Sequence, residues 1–166
     1  MIPLRVLTLI VIGPGHPSVL VLEPVEDVRE GAARVVPIWI GPNEAAQLGA
    51  AIEHARLPRP MTHDLFLDAL TNLDARIDHV LINDLHGSVF HTKLVIRQAG
   101  RMIELDARPT DSLALAIRQN APYFIDEDVL EKASFPYLFK RQRDEEAELE
   151  QFRSFLEELA PGDFNE

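Results

Sequence analysis

The chain contains no cysteine. That excludes disulfide cross-links and any thiolate metal site, and it fits a reducing compartment. An excess of positive charge is also missing, since 16 Lys and Arg face 27 Asp and Glu for a net charge of −11. Proteins that grip nucleic acid along its backbone carry a basic footprint, so any such contact here must be made at a local site and not through a broad field. No apolar run approaches the ~20 residues of a membrane-spanning helix. The start, Met1 to Arg5, lacks the charged region and cleavage site of a secretory signal. A cytoplasmic chain is expected. There is no serine-nucleophile elbow, no phosphate-binding loop with lysine and no zinc pattern. Gly13-Pro14-Gly15 has neither a third glycine nor a helix after it, and reads as a plain loop.

What is present is an apolar fraction of 46% in 166 residues, enough for one domain with a full-sized core. The chain is organised around Met102 to Arg118. An apolar run reads as a strand, and Pro109 ends it by fixing its own φ and pushing Arg108 to extended geometry. An Ala/Leu/Ile segment then reads as a helix, with Thr110 as its cap and Asp111 in the first turn, where negative charge suits the helix dipole. Asp106, Arg108 and Asp111 crowd onto this corner.

The same plan occurs earlier. Val36 to Ile40 is apolar, Gly41-Pro42 is the corner, and Asn43 caps an Ala/Leu helix reaching about Arg56, with Glu44 in its first turn. Pro42 matches Pro109 and Glu44 matches Asp111 at the same interval, which points to an internal duplication of strands followed by a helix. The remaining strands are expected at Leu4–Ile12, Ser18–Glu23, Ala33–Ile40, Ala75–Asp84, Val89–Ala99 and Tyr123–Ile125. In the fifth of these, Phe90, Thr92, Leu94 and Ile96 share one face and His91, Lys93 and Arg97 the other. A short helix is expected over Asp126–Ala133, and Phe135-Pro136-Tyr137 breaks the pattern. Between the halves, Thr62 caps a helix with Asp64 in its first turn, His63 at its exposed start, and Leu65, Leu67, Ala69, Leu70 and Leu73 as its buried stripe. Lys140 to Leu159 reads as a long charged helix with an apolar seam of Leu149, Phe152, Leu156 and Leu159.

The fold class is therefore α+β: duplicated strands-then-helix halves forming a mixed sheet flanked by helices, plus a C-terminal charged helix. The expected boundaries are 1–138 for the domain and 139–166 for the acidic amphipathic helix and tail.

Three segments occur here in the order and spacing of a known family. They are Pro37 to Ala45, Arg59-Pro60-Met61-Thr62-His63-Asp64, and Asp106-Ala107-Arg108-Pro109-Thr110-Asp111-Ser112. Together they resemble the bifunctional nuclease domain family, over roughly Leu4 to Ala133. Met61 stands where members commonly have Leu, and Thr110 and Ser112 where they commonly have Ser and Ala. The resemblance implies duplicated α+β halves, a homo-oligomer, and nuclease activity on DNA and RNA.

Phosphodiester hydrolysis needs an activated water, charge relief on the phosphate and a protonated leaving group. Asp64, Asp106 and Asp111 are the candidate oxygen ligands for Mg²⁺ or Mn²⁺. Arg59 and Arg108 are the candidate phosphate grips, and His63 the candidate proton carrier. The competing reading is structural: Arg108 bridges Asp106 and Asp111 as a buried ion network that fixes the corner, and the chain is a non-catalytic, homo-oligomeric regulatory or interaction module. His16, His54, His79, His86 and His91 read as surface or strand-filling residues, since none shows metal-ligand spacing.

Overall fold

The computed structural model describes residues 1–13, 16–25 and 33–137. The expected C-terminal helix and its seam lie outside them. Within them run β1 (Ile2–Ile10), β2 (Ser18–Pro24), β3 (Ala33–Ile40), α1 (Pro42–Ile52), α2 (Thr62–Asn72), β4 (Ala75–His86), β5 (Val89–Gln98), β6 (Arg101–Ala107), α3 (Pro109–Gln119), β7 (Tyr123–Ile125), α4 (Glu127–Ala133) and β8 (Phe135–Tyr137).

Eight strands form one mixed sheet in the order β6-β5-β4-β7-β1-β2-β3-β8. Each half is a three-stranded antiparallel meander followed by a helix with proline at its first position. Short β7 joins the halves, parallel to β4 and antiparallel to β1. The two meanders thus run in opposite senses, as a twofold axis normal to the sheet requires. Pro136 sits in a strand, β8, which pairs with β3 at the sheet edge. A proline lacks the ladder N–H, but an edge strand has one side free, so the expected break is a strand instead.

α1 and α3 pack side by side on one face. Leu48 and Leu113 are fully buried there among Leu20, Leu22, Val36 and Ile82. Burying each of these leucines contributes roughly 1.5–3 kcal/mol. On the opposite face of β1–β3, Ile10, Val19, Val21 and Val35 form a separate cluster against Leu7, Trp39 and Phe135. β2 is therefore buried on both faces.

The helix starts differ from expectation. The N-cap residues are Gly41, Met61 and Arg108, not Asn43, Thr62 and Thr110. Proline or threonine takes the first helical position, and an acid (Glu44, Asp64, Asp111) takes the third. At α2 the acid reaches back and Asp64 Oδ2 accepts the Met61 amide, whereas Glu44 and Asp111 turn to the Arg108 guanidinium and no side chain caps α1 or α3. α1 ends at Ile52 because His54 adopts a left-handed φ of 49° and the Ala55 amide closes back onto the Ala50 carbonyl at 2.9 Å.

The expected stripe of α2 mixes two faces. His63, Leu67 and Leu70 share the inward stripe, and Leu70 is buried. Leu65, Ala69 and Leu73 lie along another stripe, with Leu65 and Leu73 exposed at 61% and 62%. That spacing also turns His63 inward, so its side chain is only 13% exposed.

Candidate functional site

The N-termini of α1, α2 and α3 converge. Between them and β6 lies a pocket of about 510 Å³, with Phe66, Leu105 and Leu115 among its apolar walls and Glu44, His63, Arg108 and Asp111 among its polar groups.

Arg108 closes the first turn of α3. Its Nε donates to Asp111 Oδ2 at 2.8 Å, its Nη2 to Asp111 Oδ1 at 3.3 Å, and its Nη1 to Glu44 Oε1 at 2.9 Å. One guanidinium thus ties together the two acids that the duplication makes equivalent. Yet the Arg108 side chain is 64% exposed, so this is an ion network at an open mouth and not a sealed core pair. The hydrogen bond from Asp111, then its charge, then Glu44, push Arg108 above its ordinary value. For Asp111, burial alone would raise the carboxyl. The hydrogen bond and charge of Arg108, followed by those of His63, outweigh it and hold Asp111 below the usual carboxylate range.

His63 stands across the pocket. Its Nε2 faces Asp111 Oδ1 at 3.4 Å and its Nδ1 faces Gln47 Oε1 at 3.3 Å. The polar chain is therefore Glu44–Arg108–Asp111–His63–Gln47, drawn from all three helices. Gly41 makes room for it, because a Cβ there would stand 2.5 Å from Glu44 Oε2.

The corner itself is held from behind. Thr92, fully buried on β5, hydrogen bonds to the Ala107 carbonyl and to Ser112 Oγ at 3.1 Å, and Ser112 Oγ donates to the Arg108 carbonyl at 2.9 Å. These bonds fix where β6 stops and α3 begins.

Of the six residues expected to form a site, His63, Asp106, Arg108 and Asp111 line this pocket, and Arg59 and Asp64 do not. Asp64 is used structurally. Its Oδ2 accepts the Met61 amide at 2.8 Å, and its Oδ1 accepts Arg118 Nε at 2.9 Å. Arg118, 11% exposed, also donates to the Ala114 carbonyl at 3.1 Å and to the Gln47 carbonyl at 3.4 Å, joining all three helices. Arg59 is exposed. Asp106 stands at the rim: it pairs in register with Lys93, so strand alternation turns it to the sheet face away from the helices, and it lines a second hollow there. Sequence reasoning passed over Gln47, Glu44 as a site group, and Arg118. The matching of Glu44 to Asp111 was the signal for the second, and a basic residue in the last turn of an apolar helix was the signal for the third.

The donor set as arranged does not fit a divalent cation. Both Asp111 oxygens face Arg108 or His63, Asp64 belongs to Arg118 and the Met61 amide, and among the described residues no group of three His, Cys, Asp or Glu side chains is set to hold a metal ion.

Among the described residues no helix is long and apolar enough to cross a membrane. The profile of the Bifunctional nuclease domain matches residues 25–137. An uncharacterized protein of Mycobacterium tuberculosis (strain H37Rv) is 37% identical over 150 residues, covering 86% of this chain and 88% of its own. Bifunctional nuclease 1 of Oryza sativa subsp. japonica is 26% identical over 121 residues, 71% of this chain but 35% of the rice protein, and Bifunctional nuclease of Oryza minuta matches to the same extent. The three-helix corner thus lies inside the matched region, and the chain belongs to the bifunctional nuclease domain family.

Proposed function

We propose that the chain hydrolyses phosphodiester bonds of DNA and RNA at the pocket between α1, α2 and α3. The observation that carries this is the contact chain Arg108–Asp111–His63 at an open mouth, within a family whose rice members are named bifunctional nucleases. Arg108 exchanges Glu44 for phosphate oxygens and relieves their charge. His63, steadied by Asp111, takes a proton from the attacking water, and the leaving oxygen is protonated from the same imidazole. The apolar wall at Phe66 and Leu105 offers a surface for a base to lie against. A homo-oligomer is part of the reading, because Leu65 and Leu73 of α2 and Met102 and Leu105 of edge strand β6 leave apolar side chains in water.

The test is cleavage of labelled single-stranded DNA and RNA by protein freed of contaminating nuclease, with and without chelator. Arg108→Ala, His63→Ala and Asp111→Asn are each expected to lower the rate at least about 100-fold, the range for loss of a proton carrier or charge-stabilising group. Equal rates for wild type and all three variants would overturn the assignment.

A second reading, a non-catalytic interaction module, is favoured by one observation: Arg108 is already satisfied by two carboxylates and both His63 nitrogens face partners. Under it the purified protein cleaves nothing, and the three substitutions change binding to a macromolecular partner instead.

A further inference from the structure

The sheet face away from the helices carries a second group of titratable side chains, at the closed end of the β4–β5 hairpin. Asp84 pairs with His91 across the strands and His86 with Val89, so His86 follows Asp84 on the same face and lies diagonal to His91. His86 Nδ1 and His91 Nε2 point at one another 3.3 Å apart, with ring centroids 4.9 Å apart and planes at 69°. The other nitrogen of His86 is backed by Asp84 Oδ2 at 3.2 Å. A hollow of about 250 Å³ opens over the pair, with Asn83 and Asp106 on its wall.

We propose that His86 and His91 bind a transition-metal cation of the zinc class. Two imidazole nitrogens facing each other need something between them: one proton, in a hydrogen bond past the usual 2.7–3.2 Å range, or one metal ion. Metal–nitrogen bonds of about 2.0–2.1 Å at a tetrahedral angle set the two nitrogens about 3.3–3.4 Å apart, which is the observed separation. The rest of the surroundings follow from the chemistry of such sites. The Asp84 carboxylate, 3.2 Å from the second nitrogen of His86, adds a neighbouring negative charge that favours a cation here. Imidazole suits zinc, copper and nickel better than magnesium or calcium. With two protein ligands the remaining positions are filled by water, with the Asp106 carboxylate lining the same hollow.

The spacing hid this pair, since His86 and His91 become neighbours only through the two-residue turn at Gly87 and Ser88. Gly87 takes φ of 60° there, which lets the hairpin close without strain. A cation at this point would clamp β4 to β5, so binding should also stabilise the fold by mass action.

The experiment is Zn²⁺ titration of the full chain by calorimetry, with Co²⁺ visible absorption and thermal unfolding as separate readouts. One Zn²⁺ per chain is expected at this site, with a rise in melting temperature on saturation. His86→Ala and His91→Ala should each weaken affinity at least tenfold and abolish the rise, and Asp84→Asn, which removes only a neighbouring charge, should weaken it by less than either. His54→Ala, a surface histidine elsewhere, should leave both unchanged. Circular dichroism establishes that each variant is folded. No saturable Zn²⁺ binding at millimolar metal, or binding that His91→Ala leaves intact, would overturn the proposal.

Discussion

Arg108 holds two carboxylates with one guanidinium, and the worth of that contact depends on how much water reaches it. At 64% exposure, the pairing with Glu44 and Asp111 is screened, so it contributes in the range of exposed ion pairs, about 0–1 kcal/mol. Asp111→Asn is therefore expected to cost less than about 1 kcal/mol in urea unfolding while removing cleavage. Asp64→Ala should behave in the opposite way. It leaves Arg118, only 11% exposed, without its carboxylate and the Met61 amide without its acceptor, a loss of roughly 2 kcal/mol once the 38% exposure of Asp64 is allowed for, with cleavage retained in the fraction that is folded. Acid sensitivity gives a further test of Asp111. The Asp111 carboxyl is held below its unfolded value of about 3.8, so its contribution to stability is complete above that pH. The contribution fades as pH falls through the lower folded value. Unfolding curves of wild type and Asp111→Asn should run parallel from pH 5 to 7 and converge only below about pH 4. Parallel curves down to pH 2 would show that Asp111 has no such stabilised charge.

At the scale of elements, the helix starts show how far the residues spoke for themselves. Pro42 and Pro109 marked the corners correctly, because a fixed φ and a missing N–H act locally. The caps were misread because Thr62 and Thr110 look like hydroxyl caps in one dimension, whereas the acid one turn in does that work for Met61. α2 was misread for a different reason: two stripes of leucine are both plausible until the neighbour they pack against is known, and α3 selects the one carrying His63 and Leu70. β2, β3, β5 and β7 were legible to within a residue and β1 and β4 to within two, since alternation of the kind seen in β5 records the buried face directly, whereas β8, with its proline, was missed. The same element gives a test. Thr92→Val keeps shape but removes the hydrogen bonds to Ala107 and Ser112 from a fully buried position, so a loss of about 1–3 kcal/mol is expected by thermal unfolding. A change within 0.3 kcal/mol would mean that the corner is held by packing alone.

For the whole molecule, the acidic balance sets how nucleic acid can be met. With a net charge of −11 and one arginine at the pocket, binding of a single strand releases few counterions. The logarithm of affinity against the logarithm of salt concentration is then expected to fall with a slope of about −0.7, where a protein gripping 6–10 phosphates of a single strand shows about −4 to −7. Fluorescence anisotropy between 50 and 200 mM salt measures it, and a steep slope would place binding on arginines outside the pocket, such as exposed Arg56 and Arg59. The doubled plan was visible in the sequence as two proline corners. The order of the sheet was not, because β7 is three residues long and nothing local says that it inserts between β1 and β4.

That insertion has a consequence for how the chain is made. β1 zips onto β2 as soon as both exist, but its other edge has to wait for Phe124 and Ile125, which pair with Pro3 and Ile2. At about 5–20 residues per second of synthesis, the wait is roughly 5–20 s. During it, an unfilled slot runs along one side of the nascent half, where a strand from a neighbouring polypeptide could settle. Ile2 presents its backbone groups to that slot, since the Pro3 carbonyl is turned the other way and accepts the Val25 amide at 2.9 Å.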